Sequence, residues 1–475
     1  MFDTIHVNNY IVSMTIWSPD LTKYSGSKSQ AIVDALSDDL ERGAIAPGTR
    51  LPTHRELADR LGVATGTVTR AYALAQRRGL VSGEIGRGTF VCPATTAGNA
   101  PAATDAPSAF IDLSNNRIVR DARDLALSET LATLGDPHHL ARLLDYYQPA
   151  AGNMRHREAG ASWLSTKEFQ AKPEQTLICC GAQHAMSVAL ATLTEPGDTI
   201  MCEYMIYPGM VALASLLHIN LHGLAMDEEG IKPEAFEAAC RARVGKILYC
   251  IPTLQNPTAA IMSNARRTEI AHIARAHDVT IIEDDVYGFL APDAPPPLFN
   301  YAPERCYYIN STSKSIAPGL RIGYIVTPAE AVEKIGTTIR TTTWEAAPLM
   351  AEVATRWIED GTATRIINWK RREMGARQLL AKNILGHFYS GSPPMSCHLW
   401  LHLPEPWRSE HFISQARQQG VELTPSNAFA VGRGATPHAV RICLGASHSQ
   451  SELEKGLRIL TEILQDTPEP ALTVT

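Results

Sequence analysis

In "SKSQAIVDALSDDLERG" the apolar residues Ile32, Leu36 and Leu40 recur every four positions, a spacing that puts them on one helix face. Gly43 then suits the left-handed position that ends a helix, and "APGTRLP" supplies a turn. Thr53 and Glu56 in "LPTHRELADRLGV" have capping-box spacing, which predicts a second helix stopped by Gly62. A third helix runs from about Thr65 to Arg78 and is closed by Gly79. On it Val68, Ala71, Tyr72 and Ala75 fall on the core face. Thr65, Thr67, Thr69, Arg70 and Arg77 fall on the other. "GLVSGEIGRGTFV" alternates and turns at Gly86–Arg87–Gly88, the pattern of a short two-stranded hairpin.

The stretch "CPATTAGNAPAATDAPSAF", residues 92–110, has no apolar period and reads as a linker. A flexible chain of that length reaches roughly 22–25 Å. Beyond it the pattern changes. "QTLICC", "TIMCE", "KILYCIPT", "VTIIEDDVY", "RCYYINST" and "RIGYIVT" are strand candidates, most of them separated by helical stretches. That alternation predicts an α/β domain with a largely parallel sheet. From about residue 330 come two long helices, "PLMAEVATRWIEDG" and "IINWKRREMGARQLLAKNIL", and a few strands, predicting a smaller α+β lobe. The longest apolar run, "MVALASLLHINLHGLAM", is interrupted by His218, Asn220 and His222 and is too short to span a bilayer.

At 475 residues the chain exceeds one ordinary core and predicts several domains. A net charge of −6 excludes a molecule that is basic throughout. Nine irregularly spaced cysteines give neither a disulfide framework nor a zinc pattern, and a reduced cytoplasmic setting is expected. Cys179 and Cys180 read as small buried hydrophobes. With no Lys or Arg before Lys23, no secretory signal is expected, and Met14 offers a second start. The predicted divisions are residues 1–21, an extension; 22–92, the helical unit; 93–109, the linker; 110–466, the α/β unit; and 467–475, a tail.

The helical unit departs from the acidic average. Residues 50–88 carry seven arginines against three acidic residues, a local excess of +4, which is the electrostatic footprint of phosphate binding. Two short helices joined by a glycine turn, followed by a hairpin, match a winged helix-turn-helix. "LPTHRELADRLGVATGTVTRAYALAQRRGLVSGEIGRGTFV" resembles the GntR-type winged helix. The resemblance implies that Arg55 touches phosphate and that the start of the third helix, with Thr65, Thr67, Thr69 and Arg70, enters the major groove of an operator. It also implies that the Gly86–Arg87 wing tip lies along the minor groove. Family members often carry an arginine where this chain has Thr65–Gly66, so the operator sequence does not carry over.

In the second unit, "STSKSIAPGLRIGY" holds Lys314 between two serines with Arg321 following. A lysine that binds an aldehyde cofactor needs anion donors, a carboxylate, a phenolic donor and an aromatic ring around it. "CCGAQHAM" opens a helix at Gly181, where amides and dipole favour an anion. "CEYMIYPG", "IPTLQNPTA" and "IIEDDVYGF" place Tyr207, Asn256, Asp284 and Tyr287 after successive strands. "AVRICLG" puts Arg441 on a strand, where it could hold a carboxylate. In open α/β sheets, ligands collect outside the carboxyl ends of the strands.

In order and position these motifs resemble fold-type I pyridoxal-phosphate enzymes of the aspartate aminotransferase family, over about residues 110–466. The resemblance implies Lys314 as the Schiff-base lysine, Asp284 on the pyridine nitrogen, Tyr207 stacked on the ring, and Asn256 and Tyr287 on its phenolic oxygen. Ala182 and Gln183, through their backbone, would bind the phosphate with Ser311 and Arg321, with Ser313 close by. Arg441 would receive an α-carboxylate. "YYQPAAGNMRHR" is similar to a family segment in which Tyr147 reaches the phosphate of the partner subunit, implying a head-to-tail, domain-swapped homodimer. His156 and His184 are read as ordinary polar residues, and Trp344 as lining the substrate side. The whole chain resembles the MocR subfamily of transcription regulators. That implies a sensor of pyridoxal phosphate, of an amino-acid-like amine, or of both; the alternative is an active aminotransferase carrying a DNA-binding module.

Overall fold

Ile32 and Leu36 are buried as the four-residue spacing requires, on a helix Lys28–Glu41 (α1) that ends at Arg42. The protein is described from a computed structural model. It covers residues 17–24, 27–42, 44–45, 49–77, 80–84, 88–91, 110–119, 126–432 and 436–466. Met14, Gly43, Arg78, Gly79, the wing tip with Arg87, the 93–109 linker and the 467–475 tail lie outside the described residues. Two units divide the chain, one up to Asn99 and one from Ala100.

In the first unit, α2 (His54–Leu61) opens on the Thr53–Glu56 capping box, with both reciprocal bonds made, and closes on Gly62 at φ 59°. Left-handed backbone there is the reason for glycine. Helix α3 (Thr65–Arg77) packs Val68, Ala71, Tyr72 and Ala75 against α1 and α2. Strands β1 (Val81–Glu84) and β2 (Gly88–Val91) pair antiparallel, Val81 opposite Val91.

The second unit starts with β3 (Ile111–Asp112). Its main sheet contains β4 (Thr176–Cys179), β5 (Thr199–Glu203) and β6 (Asn220–Leu224). A small ribbon of β7 (Met226–Asp227) and β8 (Gly230–Ile231) follows. The sheet then gains β9 (Ile247–Cys250), β10 (Thr280–Asp284), β11 (Cys306–Ser311) and β12 (Gly323–Val326). Its seven strands run in the order β4-β12-β11-β10-β9-β5-β6, parallel except for β12. All six strand candidates lie in it. The seventh, β6, comes from the long apolar run, which splits into a helix Pro208–Leu216 and a strand.

The lobe boundary at residue 330 is corrected. Helices Val332–Thr343 and Pro348–Glu359 bury Ile335, Ile339, Val353 and Trp357 in the two cores flanking the main sheet. The small lobe is built from part of helix Thr362–Leu385, strands β13 (His398–His402), β14 (Val421–Glu422), β15 (Thr424–Pro425) and β16 (Ala439–Cys443), and helix Gln450–Gln465. Strand β3 joins it by pairing in parallel with β14, and Leu113 enters its core. Residues just past the linker therefore belong with the last hundred of the chain.

Candidate functional site

Strand β4 turns through Gly181, at φ 84°, into helix Ala182–Leu193, and no side chain caps that helix. Its first-turn amides, those of Ala182 and Gln183 among them, have no intrahelical acceptor, and the dipole there favours an anion. Arg321 crosses the turn: Nη2 donates to the Cys180 carbonyl at 3.3 Å and Nη1 to Ser313 Oγ at 3.1 Å. A Cβ on Gly181 would come within 2.5 Å of that guanidinium, and the backbone at φ 84° is one that glycine adopts without strain. Ser311 Oγ lies 3.0 Å from Ser313 Oγ. The helix start, both serines and Arg321 thus share one end of the sheet.

Alternation along β10 and just past its end separates Asp284 from Asp285. Asp284 faces Tyr249, whose hydroxyl donates to Oδ2 at 2.9 Å, while Oδ1 is buried with no hydrogen-bond partner. Burial raises its pKa to about 6, against the Tyr249 bond, the Val286 amide and the Lys314 charge. Asp285 takes the Tyr308 hydroxyl at 2.7 Å and also has a bare oxygen, but it lies over Gly288 and is influenced by Glu283 and Arg267. The Lys314 charge acts on Asp284. Tyr207 folds its ring over Gly209, where a Cβ would approach to 2.4 Å. Burial and Asp284 raise its phenol, opposed by Arg441 and Arg321.

Lys314 sits in the short helix Thr312–Ser315, whose Lys314 and Ile316 carbonyls accept from the buried Lys370 Nζ at 2.9 and 2.8 Å. Its own Nζ donates to the Asn116 carbonyl and lies 5.9 Å from the centre of the Tyr287 ring. Burial lowers its pKa, which favours the unprotonated amine that a carbonyl carbon requires. Asn256 lies in the loop six residues past β9 rather than at its end, in front of the cis-linked Pro257. Its Oδ1 accepts from Arg441 Nη1 at 2.8 Å. Arg441, on β16, also donates to the Ser114 carbonyl at 2.6 Å and stacks on Phe429, while its buried Nε has no partner.

Among the other sequence candidates, Tyr147 is 79% exposed and packs against Trp344 with ring centres 5.2 Å apart. Trp344 also carries the Arg340 guanidinium on its face. His184 caps its own turn, accepting from Cys180 N at 3.0 Å, and His156 binds the buried Glu352 at 3.0 Å; both act as structural polar groups. Cys179 is fully buried, but Cys180 is only half-buried, a correction that follows from its place at the mouth of the turn. Sequence reasoning missed Tyr249, Ser114, Asn116 and His398. Alternation in "KILYC" could have flagged Tyr249. The others lie in segments with no period of their own.

On the first unit, Arg55, Thr65, Thr69 and Arg70 are exposed and Thr67 is half-buried. Thr69 Oγ1 bonds the Thr65 carbonyl at 3.1 Å and stands 3.1 Å from His54 Nδ1, which ties α2 to α3.

Residues 108–460 match the family Aminotransferase class I and II, and residues 28–91 match Bacterial regulatory proteins, gntR family. The HTH-type transcriptional regulator YdeF of Bacillus subtilis is 30% identical over 96% of this chain and 98% of its own length. YisV of the same organism is 26% identical over 95% and 98%. Among solved structures, the α-aminoadipate aminotransferase LysN of Thermus thermophilus, complexed with N-(5'-phosphopyridoxyl)-L-leucine, superposes with a TM-score of 0.67. It is 20% identical and covers 75% of this chain and 92% of its own. The pyridoxal phosphate that this fold implies fits the residues present. The bare helix start and Arg321 suit a phosphate, the unpartnered Asp284 Oδ1 a ring N–H, and the half-buried Lys314, its pKa lowered, an aldehyde. The chain belongs to the HTH-type transcriptional regulators of MocR-like architecture, in which a GntR-type DNA-binding domain precedes a class I and II aminotransferase domain.

Proposed function

We propose that Lys314 holds pyridoxal phosphate in this regulator and that operator binding responds to the coenzyme, to an amine bearing an α-carboxylate, or to both. The observation that carries this is that Lys314 Nζ bonds the Asn116 carbonyl beside the Tyr287 ring while the buried Asp284 Oδ1 and Arg441 Nε stand without hydrogen-bond partners, in a chain similar to HTH-type regulators along nearly its whole length. Bound pyridoxal phosphate supplies an aldehyde that condenses reversibly with amines and a ring that withdraws electrons. The chain's residues do the rest. Ala182, Gln183, Ser311, Ser313 and Arg321 hold the phosphate, Asp284 accepts the ring N–H, and Asn256 and Tyr287 meet the phenolic oxygen. Arg441 orients the effector's carboxylate through the Nε left bare. An effector changes DNA affinity only by binding two arrangements of the protein with different free energies.

A homodimer belongs to the same proposal. Tyr147, Tyr146, Leu144, Met154 and Trp344 form exposed apolar surface suited to a second copy, with Tyr147 reaching the partner's phosphate site. Sedimentation tests it: a monomer at micromolar concentration removes Tyr147 from the site. A cytoplasmic place of action is part of this reading; among the described residues no helix is long and apolar enough to cross a membrane.

The test is to mix the full-length protein with pyridoxal phosphate and a panel of amino acids, following visible absorption and keto-acid release. A spectral shift without sustained product supports the sensor. Steady product supports the aminotransferase alternative. Lys314→Ala is expected to abolish the effector response in an operator-binding assay while operator affinity itself persists, and an unchanged response overturns the proposal.

A further inference from the structure

Asn116 lies 171 residues from Tyr287 and 282 from His398 in the chain, yet its buried amide touches both. His398, at the start of β13, is fully buried and places Nε2 3.0 Å from the Gln255 carbonyl. A carbonyl oxygen only accepts, so Nε2 carries the hydrogen. Burial, and after it the Arg441 charge, push the imidazole down to about 3, which keeps it neutral. Nδ1 of that tautomer is an acceptor. The Asn116 atom 3.3 Å from it is therefore the amide nitrogen. The amide oxygen then faces a donor, the Cys397 thiol at 3.2 Å; that sulfur is also 3.6 Å from Nδ1. The second amide hydrogen reaches Tyr287 Oη at 2.9 Å. Tyr287 thus accepts from Asn116, and its own phenolic hydrogen is free to point into the site. The Asn116 backbone carbonyl meanwhile receives Lys314 Nζ.

We propose that Asn116 and His398 are positioning residues: His398 fixes the direction of the Asn116 amide, and the amide makes Tyr287 a donor toward the phenolic oxygen of bound pyridoxal phosphate. This deepens the proposed function and rests on Lys314 holding that coenzyme. Tyr287 is also flanked by Cys397, Arg441, Tyr207, Asp284 and Lys314, and His398 by Arg441 and Lys314. Accepting a hydrogen bond polarises the phenol and strengthens it as a donor. A stronger donor stabilises the phenolate form of the coenzyme and lowers the pH at which the neighbouring nitrogen loses its proton.

The readout is the pH midpoint of the visible band of the full-length protein loaded with pyridoxal phosphate. Asn116→Leu and His398→Phe are each expected to raise that midpoint by about half to one unit, the size of one lost hydrogen bond. On a Tyr287→Phe background the same substitutions leave the midpoint where Tyr287→Phe alone puts it. An unmoved midpoint in the single variants, or an equal further shift on the Tyr287→Phe background, overturns the inference. If Asn116→Leu does not fold, His398→Phe decides the question by the same comparison. A wild-type protein without any visible band overturns the coenzyme reading itself, and that outcome is distinct from a band whose midpoint does not move.

Discussion

Arg55 and Arg70 stand in solvent on a small helical unit, whereas Asp284, Tyr287 and Arg441 lie buried where strands and lobes meet. In the proposed function the contrast follows from the ligands. A duplex comes to a surface, and flexible exposed cations neutralise its phosphates from outside. A small cofactor must be enclosed, so its binding groups leave water, and their charge states become properties of the fold. In the second unit the carboxyl of Asp284 is pushed up to about 6, His398 down to about 3, and Lys314 down, in each case with burial as the first cause. One unit takes from its fold mainly a shape, and the other takes a chemistry.

The sharpest way to break this contrast is to damage one unit alone. Leu57 is fully buried in the first unit's core, and Leu57→Ala is expected to cost about 2–5 kcal/mol of its stability. Operator binding in a mobility assay should collapse while the visible band of the coenzyme stays unchanged; parallel loss of both would join the units energetically.

Asp284→Asn probes the strain of burial. Because the folded carboxyl is raised from 3.8 to about 6, its burial is free of penalty below pH 4, and the penalty grows until about pH 6. The variant lacking coenzyme should therefore gain up to about 3 kcal/mol at pH 7–8 and little at pH 4, read from Tm against pH. Its affinity for pyridoxal phosphate should fall at the same time.

Arg321→Ala removes the guanidinium that spans Cys180 and Ser313. A lost charge-assisted bond to phosphate weakens coenzyme affinity by about 10- to 100-fold, measured by equilibrium titration, while operator affinity without coenzyme is unchanged. Thr53→Ala has the smallest effect: one capping-box partner of α2 is lost, about 1 kcal/mol by thermal unfolding, confined to the first unit.

Local rules made the first unit legible. The Thr53–Glu56 box, Gly62 and the buried face of α3 all depend on neighbours within four residues, and each stands where the spacing put it. Six of the seven strands of the large sheet were legible for the same reason. The lobe boundary was not, because helices Val332–Thr343 and Pro348–Glu359 are apolar on one face whichever core they cover.

The sequence by itself determined the order of two unlike units, the strands of the sheet and the run of residues that a pyridoxal site requires. Short-range spacing and residue chemistry carry that information. Only the tertiary structure decided that Asp284 meets Tyr249, because alternation along β10 has meaning only once β9 lies alongside. It also decided that Asn116 meets both Tyr287 and His398. Those contacts close loops of 171 and 282 residues, and no periodicity in a chain records which distant segments burial will bring together.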